Sequence, residues 1–116
     1  MFRLAIVPPV DGIPATIKCV RRYTELPIRE IRTRLADGIP IFEFAFHDIV
    51  REVRLCRSLL RDLDTIGAAV RVYERVEGWG EREESIQYLR NVMRRSIQIR
   101  KEVRDQMFRE AEGHED

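Results

Sequence analysis

The chain has 116 residues, 44% of them hydrophobic and 35% charged. That size is a prior for one soluble globular domain that can bury a core without metal or disulfide staples. The formal net charge is only +1, from 21 basic and 20 acidic residues. Any attraction to a polyanion must therefore come from a local patch rather than from the whole molecule.

"MFRLAIVPPV" alternates and then stops at Pro8-Pro9. This predicts a short strand with Phe2, Leu4 and Ile6 on one face. The stretch is too short and too soon broken by proline for a signal peptide. No apolar run approaches the length of a membrane span, so the expected location is the cytoplasm. After the "PVDGIP" turn, Ile13, Ile17, Val20 and Thr24 recur within about 60° of arc on a helical wheel. Pro27 opens a second predicted helix, with Ile28, Ile31 and Leu35 on its inner stripe and Gly38 as its left-handed stop.

"IPIFEFAF" predicts a second strand with Phe42, Phe44 and Phe46 on one face. A helix from about Asp48 to Ile66 comes next, and its stripe through Ile49, Val53, Cys56, Leu60 and Leu63 makes Cys56 a core residue. Gly67 ends it, and "AAVRVYERV" predicts a third strand. "EGWG" reads as a break, with Trp79 packing the C-terminal helix onto the domain. Residues 81 to about 112 read as one long helix. The order β-α-α-β-α-β predicts an α+β sandwich over residues 1–77, its three-stranded antiparallel sheet carrying helices on one face. Residues 78–116 would form a C-terminal helical extension.

The string "IKCVRRYTELPIREIR" at residues 17–32, with "LDTIGAAVRV" at 63–72, resembles the C-terminal domain of the bacterial ribosomal stalk protein. That family reads I-K-x-V-R-x-x-T-G-L-G-L-K-E-A-K and L-E-x-A-G-A-x-V-x-V at these points. Ile17, Lys18, Val20, Arg21, Thr24, Leu26 and Glu30 match the first string outright. Leu63, Gly67, Ala68, Val70 and Val72 match the second. The resemblance implies the same three-stranded sandwich, a fold shared in general form by the Clp protease adaptor. It also implies that Lys18, Arg21, Arg29 and Arg32 meet an acidic partner helix. The family's two glycines in this region are replaced by Glu25 and Pro27, which changes charge and backbone freedom there. The added helical tail also departs from the family, so a genuine stalk protein is not expected.

The functional expectation is a non-enzymatic protein-interaction module without metal or cofactor. His47-Asp48 lacks an adjacent serine or cysteine, and Asp48 reads as a helix cap. His114 falls in the tail. The two cysteines offer no metal spacing. The tail helix carries Leu89, Val92, Met93, Ile99 and Val103 on a stripe too long for one small domain to cover, which predicts a homodimer. The tail would cover the second sheet face, where Ala5, Val7, Ile41, Ala45 and Tyr73 lie, and deleting residues 81–116 would expose it. Two alternatives remain open at this level. Arg51, Arg54, Arg57 and Arg61 could grip nucleic-acid phosphates, or the chain could be an immunity or antitoxin protein that binds a toxin.

Overall fold

A computed structural model of the chain describes residues 1–113. His114 therefore lies outside the described residues. The elements run β1 (Phe2–Val7), α1 (Ile13–Val20), α2 (Ile28–Asp37), β2 (Phe42–Phe44), α3 (Ile49–Thr65), β3 (Ala69–Val76), β4 (Gly80–Glu84) and α4 (Ile86–Gly113). The sheet is antiparallel throughout, in the order β2-β1-β3-β4. The α+β class and the helix-bearing sheet agree with the sequence reading. The sheet has four strands, however, not three.

The additional strand is a hairpin return of β3. Gly78 and Gly80 adopt φ of 83° and 84°, a region most side chains avoid, and the Trp79 N–H donates to the Val76 carbonyl at 3.0 Å. The chain reverses there, and Val76 pairs with Gly80. Trp79 sits exposed at the hairpin tip and does not pack the next helix onto the domain. The expected boundary between residues 77 and 78 thus falls inside a hairpin.

Residues 81–84 have no apolar member, so their strand is held by its backbone ladder to β3 with cross-strand charge added. Glu81 and Glu83 project to the sheet face opposite the helices. Arg3 of β1 reaches Glu81 at 3.1 Å and Glu43 of β2 at 3.3 Å. Arg71 of β3 donates two hydrogen bonds to Glu83, each 3.0 Å, and stacks over Tyr73. These long side chains roof the small residue Ala5, which is buried. The second face is therefore screened by cross-strand ion pairs and not by the tail helix.

The other face carries the core. Phe2, Leu4, Ile6 and Val72 meet Ile17, Val20, Ile31, Leu35, Val53, Cys56, Leu59, Leu60 and Leu63 from the first three helices. Phe42 and Phe44 join them as expected. Phe46 does not continue the strand: its φ is +57°, and its ring turns back onto Phe2 and Phe44. Gly38 closes α2 at φ 66°, as its position predicts.

Ser85 immediately precedes helix α4, and its hydroxyl accepts the Tyr88 N–H at 3.0 Å. It lies on the same sheet face as the other helices, against α3 and β3. The Tyr88 ring sits beside Phe2, and its hydroxyl donates to Glu74. Leu89 and Met93 are buried within this chain's own core. They are therefore not available to a second copy, which corrects their assignment to the oligomerisation stripe. Beyond them the helix runs out past the rest of the domain, and with it the molecule's longest extent is 65 Å against 31 and 24 Å across. Val92 is half-buried, while Ile99 and Val103 are exposed.

Candidate interaction grooves

Helices α1 and α2 each open on a proline. Pro14 sits in the first turn of α1, and Pro27 is the N-cap of α2 with an extended φ, ψ of −61°, 152°. The end of α1 is pinned to α3 by the Tyr23 hydroxyl, which donates to the Asp62 carboxylate. Burial, with this bond adding to it, pushes the Tyr23 pKa up to about 12.

Between the two helices runs an open groove of about 480 Å³. Lys18, Arg21 and Arg22 rim it, and Pro14, Ile17 and Ile28 floor it. Apolar surface is still available there: Ile28 is 40% exposed, and Ile13 on the adjoining turn of α1 is 47% exposed. Arg29 and Arg32 are exposed on α2 but do not line the groove. Arg32 comes four residues after Ile28 and so shares its helix flank, whereas Arg29 points away from it. The structure thus brings Lys18 and Arg21 to the groove together with Arg22, and leaves Arg29 and Arg32 outside its lining. Among the described residues, none of these five cations forms an ion pair.

Helix α3 turns its arginines toward α4. Arg54, Arg57 and Arg61 line a second groove, of about 650 Å³, together with Arg90 and Arg94 of α4. Reasoning from α3 alone could not supply the last two. The i, i+4 spacing of Arg90 and Arg94 was a visible signal, but only the packing of α4 against α3 gives it a partner row. Arg51 faces elsewhere, toward a hollow of about 440 Å³ beside the edge strand β2. His47 and Asp48 also line that hollow, with no serine, threonine or cysteine among the lining residues. Asp48 occupies the N-cap of α3 without a side-chain capping bond.

Both cysteines are buried and free. Burial raises the Cys56 pKa to about 12 and raises that of Cys19, where Asp62 adds to the effect and Arg22 opposes it. Neither thiol is poised as a nucleophile. Among the described residues no group of three or more metal-ligating side chains converges, and no helix is long and apolar enough to cross a membrane.

No protein-family model, curated protein or solved structure matches this chain. None of them identifies a stalk-like domain, and that resemblance has no support beyond the strings at residues 17–32 and 63–72.

Proposed function

We infer that the chain is a non-enzymatic, cytoplasmic protein-interaction module whose α1–α2 groove docks an acidic amphipathic helix of a partner protein. The observation that carries this reading is a rim of cations, unpaired among the described residues, around an apolar floor that is still open. Lys18, Arg21 and Arg22 attract and orient carboxylates, and arginine does so bidentately. Covering the exposed halves of Ile13 and Ile28 adds about 1 kcal/mol each, half the value for full burial. The resemblance to the stalk domain points to the same surface. The replacement of its glycines by Glu25 and Pro27 implies a different partner.

The same module self-associates through the outer part of α4. Ile99, Val103 and Met107 recur at i, i+4 and i+8 and are half-exposed or more. A helix of 28 residues spans about 42 Å, more than its own domain covers. A second copy of this helix offers the matching stripe.

The test of the docking surface is reversal of Lys18, Arg21, Arg22 and Arg32 to glutamate, with circular dichroism to monitor folding. All four are exposed, so the substitutions leave the core stripes untouched. Cross-linking in the native host should join an acidic helix to α1 or α2 in the wild type and lose it in the variant. Retention of the same cross-links by the folded variant refutes the reading.

A further inference from the structure

The α3–α4 groove differs from the α1–α2 groove in what it leaves exposed. Arg54, Arg57, Arg61, Arg90 and Arg94 are all exposed along it, against a single carboxylate, Asp64. Only Arg61 has an acidic neighbour, Asp62 at 3.9 Å; the other four form no ion pair among the described residues. Most of the floor is closed, with Val53, Leu60 and Met93 at 2%, 5% and 1% exposed, while Val50 at 40% and the half-buried Ile97 stay open where the adjoining hollow begins. Five guanidinium groups against one lining carboxylate make positive charge the groove's distinguishing feature.

The charge continues outward. Lys101 and Arg104 line an adjoining hollow with Val50 and Ile97. On the α4 wheel, Arg90, Arg94, Lys101 and Arg104 fall on one flank, and from Arg90 to Arg104 this strip measures about 21 Å. One strand of a duplex presents about six phosphates over that distance, one per 3.4 Å of axis. Guanidinium forks match phosphate oxygens two at a time. No aromatic side chain lines either hollow, so stacking on unpaired bases is not on offer.

We propose that the α3–α4 groove binds the phosphodiester backbone of duplex nucleic acid without reading its sequence. This site is separate from the α1–α2 docking surface and stands independently of it.

Fluorescence anisotropy of the full chain with labelled duplex DNA and duplex RNA, from 50 to 200 mM salt, tests the proposal. Five arginine–phosphate contacts give a log–log slope of about −4.5, or roughly 500-fold weaker binding across that range. Arg57→Ala with Arg94→Ala should reduce the slope by about 1.8. Asp64→Asn, which removes only the groove's acid, should tighten binding several-fold at low salt. Lys18→Glu with Arg21→Glu should change neither slope nor affinity, whether or not those residues dock a protein. Binding to only one of the two duplexes upholds the proposal and names its source. The proposal is overturned if neither duplex binds, or if the slope is unchanged in the folded alanine pair. It is equally overturned if Asp64→Asn is without effect, or if polyglutamate of equal charge competes as well as unlabelled duplex, which would make this a second acidic-protein site.

Discussion

Replacing Leu89 with alanine tests whether α4 belongs to the domain or merely hangs from it. Leu89 is completely buried, among core residues that include Leu63, Val72 and Met93. Truncation removes three carbons, about 2.4 kcal/mol of transfer free energy at ~0.8 kcal/mol each. The cavity left between α4, α3 and β3 adds to this and brings the cost to about 3 kcal/mol, inside the usual range for buried leucine. With a urea m-value of about 1.5 kcal/mol/M, the unfolding midpoint should fall by about 2 M. Ile99→Ala, on the outer part of the same helix, should move stability by less than about 0.5 kcal/mol. Equal, small effects of the two substitutions would refute the placement of the inner α4 turns in the core and restore the picture of a detachable tail.

Three further outcomes are expected from the structure. Tyr23→Phe removes the bond to Asp62 and leaves that carboxylate half-buried without its donor, so urea titration should show a loss of about 1–2 kcal/mol. Stability should decline with alkali: Tyr23 and Cys56 hold their protons in the folded chain up to about 12, against 10.0 and 9.0 unperturbed. Because the unfolded chain releases these protons first, the stabilisation is complete below about pH 9 and lost as the pH rises toward 12, which urea midpoints across that window will show. Sedimentation at micromolar concentration should find a dimer of the 13.8 kDa chain, and Ile99→Glu with Val103→Glu should make it monomeric while its circular dichroism stays that of the folded chain; a wild type that is monomeric throughout contradicts the dimer.

Local chemistry made much of this fold legible. Alternation in Phe2–Val7, the Gly38 stop and the Cys56 stripe each reported a backbone geometry or a burial directly, because one short-range constraint decided each. β4 was hidden for a physical reason. Gly80–Glu84 contains no apolar residue, and its glutamates and arginine suit a first helical turn as well as an edge strand. Its partners, Arg3 and Arg71, are remote in sequence, so only the assembled sheet shows the charge complementarity that adds to its ladder. Ser85 before Ile86 was a readable cap that would have moved the helix start. Phe46 shows the opposite case, in which three aromatics at period two suggest one continuous strand until a left-handed residue ends it. The cations of the α1–α2 groove could be placed outside the apolar stripes by helical spacing alone. The α3–α4 groove could not, because its two arginine rows meet only after α4 folds back over the sheet.

The docking claim is tested most directly by a residue-resolved NMR titration of the labelled chain with an acidic amphipathic helical peptide. The predicted result is saturable shift changes confined to Ile13, Ile17, Lys18, Arg21, Arg22, Ile28 and Arg32, weakening as salt is raised. Shifts centred on α3 and α4 instead, or none at millimolar peptide in low salt, would contradict the account.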